Sequence, residues 1–328
     1  MKKIRWGIAG PGNIANKFAK AIKNVEGAEL SAVASRTAEN GNAFAQKYGI
    51  ENVFVGYEEM AKSDAVDAVY ISTPHPFHKP CAEIFLDAKK HVLCEKPLCV
   101  NAAQAINLKK CAEKNGVFLM EAMWTRFLPA VHEARRILES GEIGKVSGLS
   151  ADFCYGIPPE EDPKVFDNKM AGGSLLDVGI YPLHFAAFLF GSEPESIYST
   201  AHVEYDIDCY INMVLKYGGG EICSLSSAIT TEKPDTAFIY GTEGYIKIPQ
   251  FYGAKELYIV KDGEETHIKK PCIGDGFEEE IIEASNCIRE GKRESDNLPL
   301  DESIRILKMM DTFRKQNGIY YPFDNGNL

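Results

Sequence analysis

The chain has 328 residues, 45% hydrophobic and 25% charged, which is ordinary globular composition and enough length for two domains. A formal net charge of −11 argues against nucleic acid or an anionic membrane surface as the main partner. No apolar run of signal-peptide or membrane-span length stands out, and nine cysteines without a Cys-x-x-Cys pair read as buried reduced thiols with no metal role, so a cytoplasmic protein is expected.

The first third alternates short apolar strands with helices. Strands are predicted at Ile4–Ala9, Leu30–Ala34, Val53–Val55, Ala68–Ile71, Val92–Cys94 and Val117–Met120. Helices fall between them at Asn13–Asn24, Ala38–Tyr48, Phe77–Asp87 and Asn101–Asn115. Such alternation implies an α/β domain, a parallel sheet with helices on both faces. The pattern changes after residue 122, which places a dinucleotide-binding domain in 1–122 and a second domain in 123–328. There a helix at Pro129–Ser140 ends at Gly141, and Gly172-Gly173 leads into a helix over Ser174–Phe190. Strands come next: Tyr210–Tyr217 alternates Ile211, Met213, Leu215 and Tyr217 against Asn212 and Lys216, and turns back into Glu221–Ala228 as a hairpin. Further short strands are expected at Ala237–Tyr240, Tyr245–Ile248 and Glu256–Val260. Helical faces at Ile281, Ala284, Ser285 and Ile288, then at Ile306, Met309, Met310 and Phe313, close the chain. The second domain therefore reads as α+β on a mainly antiparallel sheet.

Gly10-Pro11-Gly12-Asn13-Ile14-Ala15 stands between the first strand and the first helix, the context a pyrophosphate-binding loop requires. Gly10 permits the turn, Gly12 admits the pyrophosphate close to the backbone, and the helix start, with Asn13 and Ile14, offers N–H donors. The second strand ends Ala34-Ser35-Arg36-Thr37, without the acidic residue that would accept from a ribose 2′-hydroxyl. Arg36 can instead pair with a 2′-phosphate and Ser35 can donate to it, so NADP is favoured over NAD. Two more segments lie just past strands four and five: Thr73, His75 and His78 in the first, Glu95-Lys96-Pro97 in the second. Both lie where open parallel sheets bind ligands. A cation at Lys96 can polarise a carbonyl or favour a phenolate beside it.

The glycine loop, Glu95-Lys96-Pro97 and Gly172-Gly173-Ser174-Leu175-Leu176-Asp177-Val178-Gly179-Ile180-Tyr181, in this order and separation, resemble the Gfo/Idh/MocA oxidoreductase family along nearly the whole chain. The segment Met120-Glu121-Ala122-Met123-Trp124-Thr125-Arg126-Phe127 resembles the branch with dimeric dihydrodiol dehydrogenase and NADP-dependent D-xylose 1-dehydrogenases. The resemblance implies hydride transfer between a nicotinamide and a secondary alcohol or carbonyl of a sugar, an aldose such as D-xylose, or of a trans-dihydrodiol. It also implies a homodimer or higher homo-oligomer. Lys96, Asp177 and Tyr181 become the expected catalytic and substrate-binding residues. By the resemblance Arg126 joins Thr73, Glu95 and Lys96 toward the cofactor and Trp124 walls the substrate; from position alone, His75 and His78 contact the nicotinamide ribose or cap the helix beginning near Phe77, and Phe153 adds an apolar wall.

The family pattern often has an acidic residue three places after the last motif position, and here His184 stands there. Two groups thus compete to take the hydroxyl proton: Tyr181, aided by Lys96, and His184, one helical turn on, whose intrinsic pKa suits a base. Two other functions stay open. One is a nucleotide-binding sensor without turnover; the other is an enzyme that retains its nucleotide and passes hydride between two sugars.

Overall fold

The computed structural model describes residues 3–324. The chain forms two compact units. The first runs to Trp124 and resumes over Ile273–Ile304; the second comprises Thr125–Cys272 and resumes at Arg305.

The first unit holds β1 (Ile4–Ala9), α1 (Ala15–Ala21), β2 (Ala28–Ser35), α2 (Ala38–Tyr48), β3 (Asn52–Val55), α3 (Tyr57–Lys62), β4 (Ala68–Ile71), α4 (His78–Asp87), β5 (His91–Glu95), α5 (Ala102–Asn115) and β6 (Leu119–Ala122). Its sheet is parallel with order β3-β2-β1-β4-β5-β6, the doubly wound arrangement whose crevice lies at the carboxyl ends of β1 and β4. Central strands of such a sheet are covered on both faces, and every residue of β4 is buried. Helix ends obey local chemistry. The Asn101 side chain accepts from the Gln104 N–H at 2.9 Å to start α5, and Gly116 at φ 68° ends it.

The second unit contains α6 (Pro129–Ser140), β7 (Val146–Cys154), α7 (Ile180–Phe190), β8 (Ser196–Glu204), β9 (Ile207–Lys216), β10 (Ile222–Ala228), β11 (Ala237–Gly241), β12 (Tyr245–Ile248), β13 (Glu256–Lys261) and β14 (Glu264–Lys269). These strands form an eight-stranded sheet of order β14-β13-β12-β11-β7-β10-β9-β8. The expected hairpin is present as β9 and β10, with Ile211, Met213 and Leu215 buried and Asn212, Val214 and Lys216 exposed. One pairing departs from the antiparallel pattern: β7 and β10 run parallel at the centre of the sheet. The other face carries Tyr198, Val214, Ile222 and Tyr240, all at least 40% exposed.

α8 (Phe277–Arg289) and the start of α9 (Leu300–Gln316) belong to the first unit, which corrects the sequence boundary that assigned all of 123–328 to the second. The physical reason is the apolar face of α8. Ile281 and Ala284 are fully buried, and Ser285 accepts from Trp6 Nε1 at 3.2 Å. Arg293 O accepts from Leu119 N–H at 3.0 Å, and Ser303 Oγ donates to Glu121 Oε2 at 2.6 Å. A second departure concerns hydropathy. Asn168–Phe190, in the second unit, is long and apolar enough to pass as a membrane span, with mean hydropathy 1.4, but 83% of its most apolar window is buried in the protein.

Candidate active site

In the first unit the glycine loop abuts the end of β4. Gly10 has φ 91°, and a Cβ there would meet Thr73 Cγ2 at 3.1 Å and the Thr73 nitrogen at 3.2 Å. Ser72 Oγ donates to Gly10 O at 2.8 Å and fixes the loop against that strand end. Gly12 is open, since a Cβ would have only Ser72 O within reach, at 3.9 Å. Asn13 and Ile14 precede α1, whose first turn has no side-chain cap and no acidic residue. The Gly10 and Gly12 N–H groups are held by Ala34 O and Gly10 O, and the uncapped start of α1 beside an open Gly12 fits a dinucleotide's pyrophosphate.

Ser35 and Arg36 diverge at the end of β2. Ser35 is buried and donates to Thr37 O, whereas Arg36 is exposed at the strand terminus. The cation is thus the group of the pair that is presented outward. His75 opens a short 3-10 turn after β4, and its ring meets that of His78 edge-on at 5.8 Å.

His78 is buried, and its two ring nitrogens face carbonyls: Nδ1 the Pro97 O and Nε2 the Thr73 O, each at 2.7 Å. Burial lowers its pKa, while the two carbonyls favour the doubly protonated ring. Both nitrogens being engaged inside the unit, the direct cofactor contact expected of His78 is replaced by a strut. It ties the end of β4 to the turn that presents Lys96, whose peptide bond to Pro97 is cis.

Glu95 also points inward. Its carboxylate accepts from the Tyr70 hydroxyl and, at 3.2 Å, from the Lys96 N–H. Tyr70 is in turn stacked on Phe18 at 4.1 Å. Beside Glu95 lies Glu280 of α8, fully buried, with no hydrogen-bond donor to either carboxylate oxygen among the described residues. Desolvation first, then the charge of Glu95, pushes the Glu280 carboxyl well above its ordinary 4.5. Glu95 is raised as well by burial, against the pull of Tyr70 and Lys96. Two like charges repel strongly in that environment, which favours a proton on the pair. In the sequence Glu280 carries no signal beyond an acidic run, Glu278-Glu279-Glu280, opening a helix. At the end of the same unit, Trp124 stacks on Phe277 at 5.1 Å, and Lys17 Nζ lies 5.9 Å from its ring.

In the second unit Asp177 lies in a π-helical stretch, Leu175–Gly179, that runs directly into α7, which carries Tyr181 and the buried His184. Single π turns of this kind re-aim side chains and recur at functional sites. Asp177 accepts from the hydroxyl of Tyr155, whose pKa is raised by burial and by that carboxylate. Tyr155 therefore stays a donor across the working pH range. Phe153 packs edge-on to Tyr181 at 5.1 Å and stacks on Tyr252 at 4.0 Å. Arg126 is buried in this unit, its guanidinium 4.3 Å from the Phe188 ring centroid.

Phe153, Asp177 and Tyr181 are thus gathered on one unit, joined by Tyr155 and Tyr252, which sequence reasoning missed. Tyr155 was within reach, because it stands two residues after Phe153, the period of a strand face. Tyr252 sits in a short 3-10 turn between β12 and β13 and offered no periodic signal.

Residues 4–123 match the family described as an oxidoreductase family with an NAD-binding Rossmann fold, and residues 131–247 match the GFO/IDH/MocA C-terminal domain. The chain is 36% identical to trans-1,2-dihydrobenzene-1,2-diol dehydrogenase of Mus musculus, over 98% of this chain and 99% of that one. With the Homo sapiens protein of the same name it shares 34% identity over 98% and 99%. Among solved structures, an aldose-aldose oxidoreductase from Caulobacter crescentus superposes with TM-score 0.88 at 24% identity, covering 96% of this chain and 97% of that one. A 3-ketoreductase from Actinomadura kijaniata, in complex with NADP, gives 0.87 at 24% identity, with 96% and 98% covered.

The buried acid pair makes stability depend on pH. The folded chain keeps a proton on Glu280 that the unfolded chain releases near 4.5, so stability falls as pH rises from that value until the folded carboxyl ionises. Glu280→Gln is expected to be more stable than the wild type at pH 8, by on the order of 1 kcal/mol, with a shallower pH slope. Urea midpoints of both proteins at pH 5 and 8 measure this; parallel slopes would show that the pair shares no proton.

Proposed function

Because this chain belongs to the Gfo/Idh/MocA oxidoreductase family, with both its nucleotide-binding and its C-terminal domain, we propose that it is an NADP-dependent dehydrogenase of vicinal diols or sugars. The observation that carries the substrate class is the second unit's arrangement of Asp177, held by Tyr155 and one helical turn before Tyr181, whose ring meets those of Phe153 and Tyr252. Flat apolar faces next to a carboxylate suit a ring that presents one hydrophobic side and adjacent hydroxyls. Cyclic trans-diols, the substrates named for the curated relatives, and pyranose sugars both meet that description. The named relatives move the diol ahead of D-xylose in that order.

The nicotinamide, when bound, accepts or returns the hydride. This chain's residues hold the substrate and move the proton. Lys96 places a cation on the substrate oxygen at the end of β5, with His78 holding its turn. Tyr181 takes the hydroxyl proton in oxidation and returns it in reduction. Asp177 accepts from a second substrate hydroxyl while Tyr155 fixes its orientation. His184, in the same helix, is the alternative proton acceptor. Arg36 is the group that selects the 2′-phosphate, with no carboxylate at the end of β2 to repel it. Lys17 and Phe277 brace the face of Trp124, the residue assigned to wall the substrate from the first unit.

The open face of the second unit's sheet carries the oligomer contact in this reading. Tyr198 and Val214 are cross-strand partners there, and Tyr240 pairs with Tyr245 on the neighbouring strands. Exposed apolar and aromatic groups in that density mark an interaction surface, and a second copy of the chain presents the same face.

Tyr181→Phe is expected to lower kcat by about 10²–10⁴-fold with the NADP KM unchanged, measured by absorbance of reduced NADP across a diol and sugar panel. Near-normal turnover would pass the role to His184, and His184→Gln would then show the loss. Arg36→Ala should raise the KM for NADP by about tenfold or more and leave that for NAD nearly constant. A wild-type preference for NAD would reject the cofactor assignment. Sedimentation should find a dimer that Tyr240→Lys converts toward monomer; a monomeric wild type refutes the interface.

A further inference from the structure

We propose that Asp208, on β9, is a positioning residue that fixes the start of the helix bearing Asp177 and Tyr181. Asp208 is fully buried, and its Oδ2 accepts from two donors at the beginning of that helix: Ser174 Oγ at 2.7 Å and the Leu175 N–H at 2.6 Å. Ser174 Oγ also lies 3.0 Å from Ser227 Oγ on β10. The carboxylate thus pins the first turn to β9, and the Ser174 hydroxyl links the same turn to β10.

A helix start needs acceptors for its free N–H groups, and a residue just before the helix normally supplies them. Here the residues before Ser174 are glycines, which have no side chain to offer. The acceptor comes instead from a strand 34 residues further along the chain. Gly173 accounts for the access. It has φ 107°, and a Cβ on it would lie 2.5 Å from Asp208 Oδ1. The second glycine of the motif is therefore the gap through which a distant carboxylate reaches the helix.

The cost of this arrangement is visible in the group itself. Burial pushes the Asp208 carboxyl up to about 7, while the Ser174 and Leu175 donors and the more distant Arg314 pull it down. Oδ1 has no hydrogen-bond donor among the described residues. A carboxyl left half satisfied in the interior is a poor contributor to stability, and its geometry serves instead to place the residues of the helix. Two residues after Leu175 comes Asp177, and Tyr181 follows about one helical turn later. A slip of the first turn moves both.

The catalytic part of this role rests on the proposed assignment of Asp177 and Tyr181, whereas the cap itself does not. The test uses the full chain with Asp208→Ala, Asp208→Asn and Ser174→Ala, with amide hydrogen exchange measured over residues 173–181 together with steady-state kinetics. Asp208→Ala should speed exchange at the Leu175 amide about tenfold and lower kcat about tenfold, with the NADP KM unchanged. Asp208→Asn keeps an acceptor and should recover most of both. Ser174→Ala, which leaves the Leu175 bond, should show a smaller change in the same direction, and it serves as the probe if the alanine variant does not fold. Wild-type exchange over 173–181 in Asp208→Ala, or in Ser174→Ala as the fallback, overturns the proposal. Faster exchange with unchanged kcat reduces Asp208 to a structural cap and overturns its positioning role, while Tyr181→Phe tests the catalytic assignment separately.

Discussion

A carboxylate taken out of water must be given donors or a proton, and the architecture around the candidate site depends on how three of them are provided for. Glu95 accepts from the Tyr70 hydroxyl, Asp177 from the Tyr155 hydroxyl and Asp208 from Ser174. Hydroxyl donors stabilise the ionised form less than a buried guanidinium would, and they leave the acid's charge largely uncancelled. The consequences differ with surroundings. Glu95, next to a second carboxyl, shares a proton with it. Asp177, on the Tyr155 phenol, is held in orientation. Asp208 is committed to backbone geometry. A single physical problem thus yields an acid pair that favours a proton, an oriented acceptor and a structural clamp.

The two units solve different parts of the chemistry with different scaffolds. In the first, strand ends converge by topology: the loop after β1, the turn after β4 and the turn after β5 meet because the sheet's order reverses there. Side chains in that region hold one another in place, as His78 does between Thr73 and Pro97. In the second, the helix start lies against β9 and β10, and a π turn sets the direction of Asp177 relative to Tyr181. Positions that must be precise rest on strands and helix termini, and the aromatic walls are supplied by β7 and a short turn.

Much of this was legible in the residues alone. Strands β1, β4 and β12 and helices α2 and α6 fall where periodicity and caps put them, because each couples a clear apolar repeat to a turn residue. β14 escaped, since Glu264-Glu265-Thr266 has no apolar alternation and a charged edge strand reads like a loop. The glycine loop, Lys96 and the Asp177–Tyr181 segment were visible as motifs. Tyr252, Glu280 and Asp208 were not, for a common reason. Each acts on a residue far away in sequence, and pattern reading sees only neighbours along the chain. The return of residues 273–304 to the first unit was hidden likewise, because an amphipathic helix shows that it has a partner without showing which.

That return has a consequence for how the protein is made. Trp6 and Glu121 wait for Ser285 and Ser303, so the nucleotide-binding unit cannot close its core until those residues have left the ribosome. By then Thr125–Cys272, with every strand of the second sheet, has already emerged. The strands of the second sheet therefore have the earlier opportunity to pair, whereas each unit waits for C-terminal residues to complete its core, the first for 273–304 and the second for those from Arg305 onward.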